Sequence, residues 1–520
     1  GTLGETIVNP YGLAPLTAVI RNGGYVLKHA TVRIVPKEGG QEIKYDVGPQ
    51  TLRTHGGIPV FGLYAGWRNT VEVTYTRVFQ GEEKTVTESY VINTQPAWLE
   101  TTGNPAIAQN FMTAKVTTPA PKEFSDRLYF INNLGAADVR ASRAVWNNPV
   151  GGALQWNNPP RNAILDTKGE IRWYMKADRI YDPESLYDAG IMMGFHQNAD
   201  GALSWGYGQH YAKYDLLGRK VFNRRLPANY ADFSHAMMPA ENGGYFLRVA
   251  SPDLRRADDT RVRTVRDVII EVDASGEVVD EWRLFEILDP NRNIVLKSID
   301  QGAVCLNIDT SQSGKTLSAE QLAKLEAQHA FGDIAGTGAG RNWAHVNSVA
   351  YDESDDSIII SARHQGVMKI GRDKEVKWIL APSEGWKNGL EKKLLKPVDK
   401  DGRPLKCSST GDCEGGFDFT YTQHAAWPRA SKNGTIVVFD NGQVRHYEQP
   451  ALPEMNYSRV VEYKIDPKTM TVKQTWAYGK DRGYESFAPI TSNAAYQADK
   501  DTMFGFYGPV GLFDQTKGTI

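Results

Sequence analysis

The chain has 520 residues, 41% hydrophobic and 23% charged, with a formal net charge of −2, an ordinary globular composition and a length too great for one small core. That charge balance excludes a nucleic-acid footprint, because there is no basic excess to displace counterions. No apolar run approaches the roughly 20 residues that a membrane-spanning helix needs, so no membrane partner is expected.

The opening stretch, GTLGETIVNP, has neither a basic n-region nor an apolar h-region, and a secretory signal is expected to have been removed. Residues 1–100 read as a small β-sandwich. TAVIRNGGYVL, ATVRIVPKEGGQEIKYDV, RNTVEVTYTRV and KTVTESYVI carry β-branched alternation between Gly-rich hinges, which is the strand signature. The proline-punctuated NTQPAWLETTGNPAIAQN marks a boundary.

From residue 101 to 520 a loose repeat emerges. NAILDTKGEIRWYM, YAKYDLLGRKVFNRR, DVIIEVDASGEVVDEWRL, GVMKIGRDKEVKWIL and RVVEYKIDPKTMTVKQTWAY each give a strand, an Asp- or Gly-containing turn and a second strand. Apolar strands precede these hairpins near residue 150 and in AGIMMGFHQNADGALSW, HAMMPAENGGYFLRV, HVNSVAYDESDDSIIIS, HAAWPRASKNGTIVVF and TSNAAYQADKDTMFGF. The fold expected is therefore all-β, a six-bladed β-propeller following the β-sandwich. One inserted helix is expected at SAEQLAKLEAQ, where Ser318 and Gln321 stand at capping-box spacing.

Three motifs in the insertions are decoys. DTSQSGKT has Asp309 where a phosphate loop needs its first glycine, and a carboxylate there repels phosphate. GTGAG at 336–340 lacks dinucleotide spacing. DPNRNIVLKSID places Ile294 and Asp300 where a calcium loop needs glycine and glutamate.

Of three cysteines, Cys305 reads as a buried small hydrophobe, while Cys407 and Cys413 flank the polar turn SSTGD. That turn can bring the two sulfurs together, and a disulfide, which implies an oxidising compartment, is favoured over two free thiols. No second ligand pair follows that would make a metal knuckle.

The informative feature is histidine register. Aligned by repeat, His235, His345 and His424, three of ten histidines, fall at or just before the first strand of their blades. Gly190 and the polar Thr491–Asn493 stretch stand there in other blades, and His196 is out of register. Asn347 lies two residues beyond His345, on the same strand face. Arg363, on the next strand or the turn leaving it, needs an anionic partner in an otherwise apolar context, and its neighbour His364 is expected to point away. Without a carboxylate pair the set makes a poor glycosidase. It suits a tetrahedral oxyanion, with one imidazole as nucleophile. Three histidines can equally hold zinc or copper, so a metal-dependent hydrolase or oxidase stays open, as does a non-enzymatic binding propeller with structural histidines. Tyr207, Trp427 and Tyr507 are candidates for stacking an aromatic ligand.

The phrases SHAMMP, WAHVNSVAYD, SARHQG and TQHAAWP, with CSSTGDC upstream of the last, resemble the bacterial periplasmic arylsulfate sulfotransferases over essentially the whole chain. The resemblance implies transfer of a sulfuryl group from a phenolic sulfate ester to another phenol, with no cofactor and no nucleotide donor. It implies His424 as the nucleophile that becomes sulfohistidine, with His235, His345, Asn347 and Arg363 around it; Thr491, placed by register, is a candidate substrate-binding residue. It further implies a Cys407–Cys413 disulfide made by periplasmic thiol-oxidising machinery, no metal, and a homodimer.

Overall fold

The structure, a computed structural model, describes residues 1–99, 109–134, 160–182, 185, 188, 190–231, 233–251, 254–255, 261–262, 267–289, 292, 320, 344–448 and 452–510. The expected helix at SAEQLAKLEAQ, the three decoy motifs and Cys305 lie outside them, apart from Asp289, Arg292 and Glu320. None of the described helices is long and apolar enough to cross a membrane.

The chain divides into two units. One comprises Gly1–Ala144, Asn157–Ser204 and Ala212–Asn223, the other Val145–Trp156, Trp205–Tyr211 and Arg224–Ile520. Within the first, Thr6–Val8, Ala18–Arg21 and Gly57–Val60 form one sheet, and Ile43–Val47, Val26–Ile34, Arg68–Phe79 and Glu82–Asn93 a second, each in that spatial order. Alternation decides which side chains meet between them. Ala18, Ile20, Ile58 and Val60 from one sheet and Ala30, Val32, Ile34, Val71 and Val73 from the other share a single buried core. This is the expected sandwich. It also holds a short helix, Pro49–His55, which starts on proline and ends at Gly56 in the left-handed region with φ 60°.

The same unit contains the first hairpin of the repeat, Pro160–Asp166 with Ile171–Tyr174. Its third strand is Leu128–Leu134, paired antiparallel with Pro160–Asp166. The strand expected near residue 150 lies outside the described residues.

The second unit carries four-stranded antiparallel meanders. Met237–Pro239, Tyr245–Val249, Val268–Val272 and Val278–Arg283 form one, and Val346–Asp352, Ser357–Ala362, Gly366–Gly371 and Val376–Leu380 the next. His424–Pro428, Thr435–Asp440, Arg459–Asp466 and Thr471–Tyr478 form a third, extended by Lys396–Pro397 running parallel to its last strand. A hairpin, Asn493–Gln497 with Thr502–Phe506, follows.

Successive sheets pack face to face. Ile358 and Ile360 share a core with Phe246, Ile269 and Trp282 of the preceding sheet. Ile359, between them in sequence, belongs to the core shared with Ile436, Val438 and Val461 of the following one. Both faces of each central strand are thus buried, which is why SIIIS and TIVVF are continuous apolar runs.

Candidate active site

The structure brings the three registered histidines together. Their ring centroids lie 4.9 Å apart for His235 and His345, 6.1 Å for His235 and His424, and 6.2 Å for His345 and His424. His235 stands two residues before its strand, His345 immediately before its own, and His424 is the first residue of its own. The backbone at these entries is strained. His235 has φ 67°, His345 52°, and Thr422 and Ala425, on either side of His424, 51° and 57°. Non-glycine residues in the left-handed region cost roughly 1–3 kcal/mol each, and such strain collects at functional sites.

The segment before His424 is braced from below. Asp440 accepts from Arg459 Nε at 2.8 Å, from Arg445 Nη1 at 3.1 Å and from the Tyr421 amide at 2.9 Å. Arg459 Nη2 also donates to the carbonyls of Asp418 and Phe419. The Cys407–Cys413 disulfide is present, with Cα atoms 4.0 Å apart. The Tyr421 hydroxyl donates to the Thr410 carbonyl at 2.7 Å, which ties the disulfide loop to the strand entry three residues before His424.

His424 is buried, 5% exposed. Its Nδ1 lies 2.8 Å from Asn441 Oδ1. The Asn441 amide nitrogen is committed to the carbonyls of Ala488 at 2.8 Å and Thr491 at 3.0 Å. Only the oxygen can therefore face the imidazole, so His424 carries its proton on Nδ1 and donates it. Nε2 is left as a bare lone pair, buried and without a partner. Burial, then the Arg363 charge, push the imidazole down to about 3 against the pull of Asn441 and the Thr422 carbonyl, so it is neutral near pH 7. His345 is held well below the ordinary histidine value by burial and then by the neighbouring His235, His364, Arg363 and His424.

Arg363 is the first residue after Ser357–Ala362. Its Nη1 donates to the carbonyls of Thr422 at 3.0 Å and Pro489 at 3.1 Å, and its Nη2 to Gln443 Oε1 at 2.6 Å. The guanidinium is thus oriented by uncharged acceptors. His364 was expected to point away, but its ring lies edge-on 5.3 Å from His345. Strand alternation ends at Ala362, so the face argument does not apply in the turn. Asn347 sits at a register shift between Val346 and Ser348. Its Nδ2 donates to the Gln423 carbonyl at 2.7 Å, and its Oδ1 is buried without a partner. Thr491 reaches the cluster through its backbone, its carbonyl accepting from Asn441.

Each of the candidate stackers has a protein neighbour of its own. Tyr207 stacks on His210 at 5.3 Å, Trp427 Nε1 donates to Asn493 at 2.9 Å, and Tyr507 packs edge-on against Phe439.

Asn441 is the residue that sequence reading missed. It is the first residue after Thr435–Asp440, the repeat position that Arg363 holds one sheet earlier. Aligning FDNG with SARHQG would have found it.

Antiparallel sheets stacked face to face gather three imidazoles, His345 and His424 among them neutral, and an oriented guanidinium at their strand entries, a set that suits an all-β enzyme of group transfer. Residues 113–520 match the arylsulfotransferase (ASST) family and residues 5–95 the arylsulfotransferase Ig-like domain. The chain is 46% identical to the arylsulfate sulfotransferase AssT of Escherichia coli O6:H1 (strain CFT073) and 45% identical to that of Lelliottia amnigena, in each case over all of this chain and 87% of the relative. Among solved structures, a catalytically inactive virginiamycin B lyase from Staphylococcus aureus aligns at 8% identity over 67% of this chain and 88% of that one, with a TM-score of 0.26 that carries no argument. The chain belongs to the arylsulfotransferase family and is a sulfotransferase.

Proposed function

We propose that this enzyme moves a sulfuryl group from a phenolic sulfate ester to another phenol by double displacement through His424. The observation that carries the reading is the bare, buried His424 Nε2 opposite an Nδ1–H held by Asn441. Nε2 attacks sulfur, the sulfur–aryl oxygen bond breaks, and its electron pair leaves with the phenolate. Arg363, His345, Asn347 and Thr491 bind the ester and its sulfuryl oxygens, where charge must be stabilised by donors already in place. His235, less buried than His345 and with Nε2 3.3 Å from that of His345, gives the phenolate a proton as an imidazolium and is left as the neutral ring. The second phenol returns that proton as it takes the group, so protons balance over the cycle.

The same reading completes residues 101–520 as a six-bladed propeller, with residues 1–100 as the sandwich. Face-to-face packing of successive sheets supports it. The enzyme works in the periplasm, where thiol-oxidising machinery makes the Cys407–Cys413 bond, and pairs as a homodimer. The disulfide supports the oxidising compartment.

The test is mass spectrometry of the enzyme mixed with an aryl sulfate and no acceptor. One added sulfuryl group, mapped to His424, is expected. An unlabelled protein that nevertheless turns over with acceptor present refutes the covalent route.

A further inference from the structure

We propose that His235, His345 and His424 also form an inhibitory site for a divalent transition metal, zinc above all, in which bound metal takes the lone pair that transfer requires. The ligand nitrogens of the three rings all lie within 4.8 Å of one another. Zinc–imidazole bonds are about 2.0–2.1 Å long, so two ligands at a tetrahedral zinc stand about 3.3 Å apart. The Nε2 atoms of His235 and His345 already stand at 3.3 Å. The third ligand is His424 Nε2, which has no other partner, and whose Nδ1–H is held by Asn441. That is the outer hydrogen bond which orients a metal-binding imidazole and raises its basicity. Metal takes the place of the proton between the facing nitrogens of His235 and His345, which is released, and the Ser234 hydroxyl stands against His235 Nδ1. The fourth position is left for water.

Arg363 opposes the metal. Its amide donates to the His345 carbonyl at 3.0 Å and its Nη1 to the carbonyl of Thr422, two residues before His424, at 3.0 Å, and a fixed cation beside a dication weakens binding. The site is therefore built for reversible inhibition rather than for a resident cofactor, and the chelator-stripped enzyme is the active one. This last point rests on the reading of His424 as nucleophile, whereas metal binding itself does not.

The experiment uses the full chain stripped with chelator, titrated with zinc chloride by calorimetry and with cobalt(II) by visible absorption. One zinc per chain and an intense tetrahedral cobalt spectrum are expected. Zinc should raise the KM for the aryl sulfate at saturating acceptor, and chelator should restore it. His235→Gln should weaken zinc at least about tenfold, and Arg363→Gln should tighten it on the order of tenfold while slowing transfer. No other role of Arg363 predicts that opposition. His29→Gln, in the sandwich, should leave both zinc affinity and activity unchanged. His235→Gln or a fold-checked His345→Gln that binds zinc as tightly as the parent overturns the site, as does an octahedral cobalt spectrum or activity lost on chelation. Zinc bound at one per chain, lost in His235→Gln, with transfer undiminished would keep the metal site and refute His424 as nucleophile.

Discussion

Replacing Asn441 by leucine removes the acceptor that holds the His424 proton on Nδ1, in a position that is fully buried. Two outcomes are open to the ring. It keeps Nδ1–H unsatisfied, at roughly 1–3 kcal/mol for a buried donor, or it moves the proton to Nε2 and loses the attacking lone pair. Either way the sulfation half-reaction should slow about 10–100-fold. The carbonyls of Ala488 and Thr491 lose their donor as well, so a fall in Tm is expected alongside. Asn441→Asp separates chemistry from structure. It loses the same amide donor, yet its carboxylate still accepts Nδ1–H, so most of the rate at pH 7–8 should return. Its charge raises the imidazole from about 3 by roughly 1–3 units, and the acid limb of the rate profile should move up by that amount. Single-turnover release of phenolate from a chromogenic aryl sulfate, followed from pH 4 to 8, measures both effects. A leucine variant with the parent rate, or an aspartate variant as slow as leucine with an unmoved acid limb, refutes the tautomer argument.

Initial rates with both substrates varied should give parallel double-reciprocal lines, with His424→Ala abolishing both half-reactions and Arg363→Ala slowing them without preventing labelling; intersecting lines would reject double displacement. The thiol count of the denatured, unreduced chain should be one, because Cys407 and Cys413 are bonded and Cys305 is the third cysteine. Cys413→Ser should cost about 2 kcal/mol on the chain-entropy model and lower activity through the Thr410–Tyr421 hydrogen bond. Stability should fall as pH drops below about 6.5, because the unfolded chain then protonates His345 and His424 while the folded chain keeps them neutral, at up to about 1.4 kcal/mol per pH unit for each. Urea midpoints in His424→Gln should show a shallower acid slope than the parent, and an unchanged slope would contradict the burial argument.

Alternation and turn residues were enough to place the sandwich strands and the hairpins of the repeat, because strand periodicity and Asp–Gly turns are local properties of the chain. Register across repeats singled out His235, His345 and His424, and an otherwise apolar context singled out Arg363; the structure gathers them because equivalent strand entries converge when like sheets stack. The partner of Pro160–Asp166 was not legible: pairing with Leu128–Leu134 is a choice among distant strands that no local pattern makes. His364 was misplaced because a face rule holds only while the strand lasts. Asn441 reads in sequence as the first residue of an Asn-Gly turn. Only the folded chain sets its oxygen against His424 and its nitrogen against two carbonyls from a segment some 50 residues on. The protonation state and tautomer of His424 depend on burial and on charges brought from other strands, and so belong to the tertiary structure alone.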